Sequence, residues 1–247
     1  MAEKRLFGII GFPLTHSFSE RYFNNKFETE RIQDAYFKPF SIEKVETIKE
    51  ILALNPNLNG FAITIPHKKS ILPFLNEYTE DVKKMGACNC VRIREGKLTG
   101  FNTDVIGFEQ SFIKKLQPLH KNALILGSGG AAAAVEFVLQ KLGIHYQFVS
   151  RNKNSDDSNL VYEELNEEIL TNSTIIINTT PLGTFPKVDE APAIPYHLLN
   201  TNHYLFDLVY NPAETKFLRL GKEKGATIEN GYEMLVIQAE ANWKLWQ

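Results

Sequence analysis

Short apolar runs alternate along the chain with longer stretches in which apolar side chains recur at helical spacing. The runs predict strands and the spaced stretches predict amphipathic helices. In the first hundred residues the predicted strands are 6–11, 35–40, 60–65, 87–94 and 97–101, the last two forming a hairpin around Glu95-Gly96. The predicted helices there are 20–31, 42–54 and 78–85.

After about residue 104 the chain becomes a regular alternation of buried strands and helices. The predicted strands are 123–126, 146–150, 174–178 and 204–209, and the predicted helices are 131–142 and 232–246. Strands that alternate with helices at this pace predict a parallel sheet with helical crossovers. The fold class is therefore α/β.

Composition and charge exclude several classes of protein. Of the 247 residues 43% are hydrophobic and 23% are charged, which is typical of a globular chain. The net charge of −2 argues against a general nucleic-acid binder and against a polybasic membrane-surface protein. We therefore expect neither nucleic acid nor membrane as a partner.

The N-terminal residues and the two cysteines favour a cytoplasmic protein. The start of the chain is too poor in apolar residues for a signal peptide, and no run approaches a spanning helix. Cys88 and Cys90 are the two cysteines, and a spacing of two residues suits neither an ordinary disulfide nor a zinc site. No pair of histidines has metal-ligand spacing, so no metal site is predicted.

A glycine-rich turn joins the strand at 123–126 to the following helix. The pattern Gly127-x-Gly129-x-x-Ala132 is the dinucleotide fingerprint in its expected context. Gly127 permits the tight turn, and Gly129 lets the backbone approach a pyrophosphate. The positive end of the helix dipole would then face the anion. The alternative is a tight strand–helix turn that binds nothing.

The next strand ends in Ser150-Arg151-Asn152-Lys153, where an NAD site usually has an acidic residue. A guanidinium in place of a carboxylate fits a 2′-phosphate, so NADP(H) is predicted rather than NAD. In the alternative interpretation Arg151 is a solvated cation, and Asp156 or Asp157 folds back to the ribose.

Polar residues also follow three of the predicted strands in the first half of the chain, where α/β proteins build their sites. Ser17 and Ser19, in an extended loop, would point their hydroxyls the same way and could hold a carboxylate. An alternative role is to cap the helix that begins at Glu20, and Ser19 is a candidate for that cap.

Several motifs occur in the order seen in one known family. They are Gly11-Phe12-Pro13, His16-Ser17-Phe18-Ser19, Thr64-Ile65-Pro66-His67-Lys68, Gly86-Ala87-Cys88-Asn89, Asn102-Thr103-Asp104, Gly127-Ser128-Gly129-Gly130-Ala131, Ser150-Arg151-Asn152 and the tail 230–239. In these motifs the chain resembles shikimate dehydrogenases over nearly its whole length. The resemblance implies NADPH-dependent reduction of 3-dehydroshikimate to shikimate, in aromatic amino-acid biosynthesis.

The resemblance also implies roles for individual residues. Lys68 and Asp104 match the catalytic pair, and Ser17 and Ser19 match the serines that bind the substrate carboxylate. The other expected substrate contacts are Thr64, Asn89, Asn102, Tyr210 and Gln238. The expected cofactor contacts are Gly127, Ser128, Gly129, Gly130, Ala131, Ser150, Arg151, Asn152, Lys153, Thr180, Leu208 and Gly231, with Gly231 beside the nicotinamide.

The resemblance implies a substrate-binding domain at 1–103, completed by a C-terminal helix at 231–247, and a Rossmann-type NADP-binding domain at 104–230. A cleft is expected between the two domains, and the protein is expected to be a monomer or a homodimer. The positive charge is expected to be local, at Lys68, at Arg151 with Lys153, and at the helix end behind Gly130.

The sequence departs from the family pattern at three positions. Ala62 stands where asparagine is expected, Cys90 where threonine is common, and Glu20 where proline is common. We therefore expect one amide contact to the substrate fewer. Two other functions stay open, namely a quinate/shikimate dehydrogenase that uses NAD and a non-catalytic regulator that binds NADP or a metabolite.

Overall fold

A computed structural model describes residues 4–14, 17–155 and 158–247 of the chain. The chain divides into two compact units. The first unit comprises Met1–Thr103 and Gln238–Gln247, and the second comprises Asp104–Ile237. Each unit is built on a sheet of its own.

In the described part of the first unit, six strands form the sheet, in the order β2-β1-β3-β5-β6-β4. They are β1 (Arg5–Gly11), β2 (Ala35–Ser41), β3 (Leu58–Ile63), β4 (Glu77–Tyr78), β5 (Cys90–Arg94) and β6 (Lys97–Phe101). Strand β1 is parallel to β2 and β3, whereas β5 is antiparallel to both of its neighbours. Strands β1, β3 and β6 therefore run in the same direction and end at the same edge.

The helices of the first unit are α1 (Phe18–Thr29), α2 (Ile48–Leu54) and α3 (Glu80–Met85), together with the end of α8 (Tyr232–Trp246). Trp246 of α8 is fully buried and stacks on Phe7 at a centroid distance of 5.2 Å. A Cβ at Gly60 would lie 2.3 Å from the indole of Trp246, so only glycine lets the helix end pack this closely on β3. The C-terminal residues are thus part of the first unit's core.

In the described residues of the second unit, an all-parallel sheet of six strands has the order β12-β11-β10-β7-β8-β9. The strands are β7 (Asn122–Leu126), β8 (His145–Ser150), β9 (Leu160–Val161), β10 (Ile175–Asn178), β11 (Tyr204–Asp207) and β12 (Thr227–Asn230). The helices are α4 (Asp104–Phe112), α5 (Gly130–Lys141), α6 (Glu167–Asn172) and α7 (Lys216–Lys222). This doubly wound arrangement confirms the α/β class and the Rossmann-type second half.

Several sequence predictions hold in detail. The hairpin turn is at Glu95-Gly96, where both residues have positive φ, of 50° and 75°. Such a turn matches the twist of the two strands that it joins. The C-terminal helix has the bounds predicted for it, and the strand, glycine turn and helix at 122–141 follow in the predicted order.

Other predictions are wrong at their boundaries or miss an element. The helix predicted at 42–54 is a 3₁₀ turn at Val45–Thr47 followed by the shorter α2. Strand β3 ends at Ile63, two residues earlier than predicted, and β11 ends at Asp207 rather than at residue 209. The elements that the pattern missed are β4, β9, β12, α4, α6 and α7, most of which are short.

A buried carboxylate holds together the end of the second unit's sheet. Asp207, the last residue of β11, has no solvent exposure. Its Oδ1 accepts hydrogen bonds from Asn178 Nδ2 at 2.9 Å and from the Val209 amide at 3.0 Å, and its Oδ2 accepts from Thr215 Oγ1 at 2.5 Å. Burial raises the pKa of Asp207 from 3.8 to about 6, although the three hydrogen bonds act in the opposite direction.

No helix in the described part of the chain is both long and apolar enough to cross a membrane. Both cysteines are buried.

The raised pKa of Asp207 predicts a pH-dependent stability. A carboxyl group whose pKa is raised by folding stabilises the fold below its unfolded pKa, and this contribution is lost as pH rises through about 6. A shift of about two units corresponds to about 2–3 kcal/mol. Between pH 7 and pH 4, wild type should therefore gain about that much unfolding free energy relative to Asp207→Asn. Urea unfolding at several pH values measures it, and parallel pH profiles for the two proteins would contradict it.

A second stability prediction concerns Thr174, directly before β10. Its Oγ1 is buried and has no hydrogen-bond partner among the described residues. Thr174→Val keeps the shape of the side chain and removes a polar atom that is costly to bury, so the free energy of unfolding should rise by about 1 kcal/mol. Urea unfolding of both proteins measures the difference in unfolding free energy. A Val variant no more stable than wild type would show that the Thr174 hydroxyl has a hydrogen-bond partner.

Candidate active site

In the first unit, the polar residues singled out by the sequence lie at the edge where β1, β3 and β6 end. Thr64 follows β3, and its backbone amide donates to Ile10 O of β1 at 2.9 Å. Asn102 follows β6 directly. Asn89 precedes the antiparallel strand β5, which brings it to the same edge, and its carbonyl accepts from the Ile63 amide at 2.8 Å. The topology thus brings these three residues to one edge of the sheet.

The two serines are arranged differently from the prediction. Ser17 is the N-cap of α1, and its Oγ accepts a hydrogen bond from the Glu20 amide at 3.2 Å. Ser19 lies within the first turn of the helix, so it is neither the cap nor part of an extended loop. Both serines are 8% exposed, at a helix end that favours an anion. Thr15 and His16, which precede them, lie outside the described residues.

The loop after β3 is fixed on both sides of Lys68. The His67 amide donates to Thr64 O at 2.9 Å, and the His67 ring lies buried with Nε2 2.7 Å from Ile42 O. The carbonyl of Lys68 accepts from the Cys88 amide at 2.8 Å. The backbone of Lys68 is therefore held next to the segment that carries Asn89.

A chain of buried side-chain hydrogen bonds links Asn89 to the C-terminal helix. Asn89 Oδ1 accepts from the Thr103 amide at 2.6 Å, and Thr103 Oγ1 lies 2.6 Å from Asn242 Oδ1. Asn242 Nδ2 donates to Gln238 Oε1 at 3.3 Å, one helical turn away. Because the oxygen of Asn89 is occupied, its NH₂ group is left for a ligand. Sequence reasoning missed Thr103 and Asn242, although the spacing of 238 and 242 places them on one helix face.

Asn102 has an unused acceptor. Its Nδ2 donates to Ala87 O at 3.0 Å, while its Oδ1 is buried without a hydrogen-bond partner in the described part of the chain. A buried carbonyl oxygen without a donor is costly, so a hydroxyl donor of a ligand would satisfy it.

In the second unit, the glycine turn has the geometry that the fingerprint requires. Gly127 has a φ of 96°, and a Cβ there would lie 2.8 Å from Thr180 Cγ2. Gly129 is the N-cap of α5, and none of the described atoms comes within 4 Å of a Cβ built on it. The fold itself therefore does not demand glycine at 129, whereas a closely approaching anion would. The turn fits a pyrophosphate in this respect.

The loop after β8 carries one exposed guanidinium and one paired ammonium. The guanidinium belongs to Arg151. Lys153 Nζ lies 2.9 Å from Glu164 Oε2 and donates to Asn159 O at 2.9 Å, and its hydrogen bond lowers the pKa of Glu164. Ser150 Oγ donates to the carbonyl of Asn152 at 2.6 Å. The carboxylates considered as an alternative, Asp156 and Asp157, lie outside the described residues.

Asn159 organises this loop, and sequence reasoning missed it. It is 3% exposed, its Oδ1 accepts from the Asn154 amide at 2.6 Å, and its Nδ2 donates to Asn152 O at 2.9 Å. A buried asparagine that bonds backbone groups of a loop fixes the path of that loop. No residue pattern in the sequence signals this contact.

The remaining predicted residues of the second unit follow β10, β11 and β12 or begin α4. Thr180 follows β10, and its Oγ1 donates to Asn178 Oδ1 at 2.6 Å. A Cβ at Gly231, after β12, would lie 2.2 Å from Leu208 O, so only glycine fits there. Tyr210 lies close behind β11, and Asp104 is the first residue of α4, 7% exposed. The described residues contain no group of three potential metal ligands.

Comparison with known proteins identifies the family. The model described as the shikimate dehydrogenase substrate binding domain matches residues 9–91. The shikimate dehydrogenase (NADP(+)) of Methanococcus maripaludis is 37% identical over 260 residues, which cover 99% of this chain and 92% of that protein.

Solved structures agree in fold over both units. The shikimate dehydrogenase of Aquifex aeolicus has a TM-score of 0.87 at 32% identity, covering 99% of this chain and 92% of that one. The shikimate 5-dehydrogenase of Thermus thermophilus, crystallised with NADP(H) and shikimate, has a TM-score of 0.86 at 27% identity, covering 98% of this chain and 93% of that one. The chain belongs to the shikimate dehydrogenase family.

Proposed function

We propose that this protein catalyses the reversible, NADPH-dependent reduction of 3-dehydroshikimate to shikimate. The observation that carries the proposal is the 37% identity to a shikimate dehydrogenase (NADP(+)) over 99% of the chain, so that both units are included. We assign the substrate to the domain at 1–103 with the C-terminal helix, and the cofactor to the domain at 104–230. We also propose that the protein works in the cytoplasm.

The donors and acceptors of the first unit suit a hydroxylated ring with a carboxylate. Ser17 and Ser19 at the start of α1 offer hydroxyl donors, and the helix dipole favours a negative charge there. Asn89 offers its NH₂ group, and Asn102 offers an unpaired carbonyl oxygen. Thr64 and Gln238 complete the proposed substrate contacts of this unit, and Tyr210 is the contact proposed from the second unit.

The second unit suits NADP(H) in three respects. The turn at Gly127 and Gly129 leaves room for a pyrophosphate at the start of α5. The loop after β8 presents Arg151, whose planar guanidinium can bind a 2′-phosphate through two hydrogen bonds. Thr180, Leu208 and Gly231 lie at the ends of the other strands, where the rest of a dinucleotide would extend.

The proposed reaction needs a proton donor and a second catalytic residue. When bound, the reduced nicotinamide supplies the hydride that converts the ketone to an alcohol. Negative charge then develops on the carbonyl oxygen, where the ammonium of Lys68 stabilises it and donates the proton. We assign Asp104 the role of second catalytic residue, because its carboxylate can accept a hydrogen bond from a ring hydroxyl.

The direct test is a spectrophotometric assay at 340 nm with shikimate and NADP⁺, then with NAD⁺, and then with quinate in place of shikimate. We expect the highest kcat/KM with shikimate and NADP⁺. A preference for quinate or NAD⁺ would favour the quinate/shikimate dehydrogenase instead. Binding of NADPH without turnover of any substrate would favour the regulator.

The role of Lys68 predicts a large loss of turnover. Lys68→Ala removes the proton donor, so kcat should fall by about 10²–10⁴-fold while the affinity for NADPH is retained. The neighbouring exposed residue provides a matched control, because Lys69→Ala removes an equal charge next to it. Steady-state kinetics and NADPH titration measure the two quantities. A loss of kcat below about threefold would exclude the proposed role.

The role of Arg151 predicts a change in cofactor preference. Arg151→Ala removes the charge-assisted contacts to the 2′-phosphate, so the Kd of NADPH should rise by about 10–100-fold while that of NADH barely changes. Arg219→Ala, on the exposed side of α7, is the control for loss of one arginine from the same unit. Fluorescence titration with both cofactors measures the effect. Equal weakening of NADPH and NADH would mean that Arg151 does not contact the 2′-phosphate.

A further inference from the structure

The order of strands in the second unit shows where each half of a bound dinucleotide would lie. Strand β7 carries the glycine turn, β8 lies on one side of it, and β10, β11 and β12 follow on the other side. The proposed 2′-phosphate contact, Arg151, follows β8. Given the proposed function, on which this inference rests, the nicotinamide half must therefore extend over the ends of β10, β11 and β12.

Asp207 is the last residue of β11, in the middle of these three strands. Its carboxylate sets the direction of the hydrogen bonds around it. An ionised carboxylate only accepts, so the side chain of Asn178 must turn its NH₂ group toward Asp207. The carbonyl oxygen of Asn178 then faces Thr180, accepting from its amide at 3.0 Å and from its hydroxyl at 2.6 Å. The carboxylate of Asp207 thus fixes the orientation of the Asn178 side chain, and Asn178 in turn holds Thr180 in the loop after β10.

The same carboxylate holds the segment after β11. It accepts from the Val209 amide, and the neighbouring Leu208 amide donates to the carbonyl of Asn178 at 3.0 Å. The carbonyl of Val209 in turn accepts from the Gly231 amide at 3.1 Å. The backbone of Gly231 is therefore linked to Asp207 through a single residue.

The third donor connects helix α7 to the network. Thr215 has no solvent exposure and is the N-cap of α7. Its hydroxyl donates to Asp207 Oδ2 and accepts from the Leu218 amide at 3.4 Å, so both functions of the hydroxyl are used. If an amide replaced the carboxylate, its NH₂ group would face either Thr215 or the Val209 amide. In the first orientation the hydroxyl proton of Thr215 loses its acceptor, and in the second two N–H donors face each other.

We propose that Asp207 is a positioning residue for the nicotinamide half of the cofactor. It holds the loops that carry Thr180, Leu208 and Gly231 at the distances that the cofactor requires, without touching the cofactor or the substrate itself. Loss of the carboxylate should therefore weaken ligands that reach over β10–β12 and leave unchanged those that end at the pyrophosphate.

The test compares two ligands of the cofactor site by calorimetry near pH 8, where Asp207 is ionised. NADPH spans both halves, whereas adenosine 2′,5′-bisphosphate occupies only the half beside β8. In Asp207→Asn we expect the Kd of NADPH to rise by about tenfold and that of the bisphosphate to stay within about twofold of wild type. The matched control is Asp189→Asn, an exposed aspartate of the same unit, which should leave both affinities unchanged.

Equal weakening of both ligands, or no change in either, would overturn the proposal. Failure of the wild-type protein to bind either ligand would instead refute the proposed function, and the inference with it.

A second pair of variants tests the network if Asp207→Asn does not fold. Thr215→Val removes the donor to Oδ2 and should weaken NADPH selectively, whereas Thr215→Ser keeps the hydroxyl and should restore wild-type affinity. A Ser variant as weak as the Val variant would also overturn the proposal.

Discussion

Parallel strand pairing is the constraint on which the candidate sites of both units depend. Strands that run in the same direction end at the same edge, so the loops that follow them are neighbours even when they are far apart in sequence. In the first unit this applies to β1, β3 and β6, and the reversal of β5 brings Asn89 to the same edge. In the second unit every strand pair in the described residues is parallel, so the glycine turn and the ends of β10, β11 and β12 share one edge.

Where the strands end, polar side chains replace the hydrogen bonds of the sheet. Asn89 accepts from Thr103, and Asn159 bonds backbone groups of the loop after β8. Asp207 accepts from Asn178 at the end of β10 and from the Val209 amide after β11. A buried backbone group must find a partner, and an asparagine or aspartate at a strand end provides one without extending the strand. The loops at the edge that carries the candidate site are therefore held by side-chain hydrogen bonds as well as by the sheet.

The sequence predicts the parts of this arrangement that depend on local rules. The hairpin follows from Glu95-Gly96, and the dinucleotide turn follows from the strand before it and the helix after it. The contact between Thr103 and Asn242 joins residues 139 positions apart, so no local pattern could show it. Ser19 is not the helix cap and does not lie in an extended loop, because the helix begins two residues earlier than its apolar spacing indicates, with Ser17 as the cap. Short elements such as β9 and α6 owe their existence to tertiary packing rather than to their own sequence.

Charge in the second unit is more local than the sequence indicates. Lys153 is grouped with Arg151 by its position in the chain, but its ammonium lies 2.9 Å from the carboxylate of Glu164. The pair is partly exposed, so it adds little stability and little net field at the loop. In the proposed function, discrimination between a 2′-hydroxyl and a 2′-phosphate is therefore assigned mainly to Arg151, whose guanidinium can form two hydrogen bonds to a phosphate. A chain with a net charge of −2 can in this way bind an anionic cofactor through a few placed groups rather than through a basic surface.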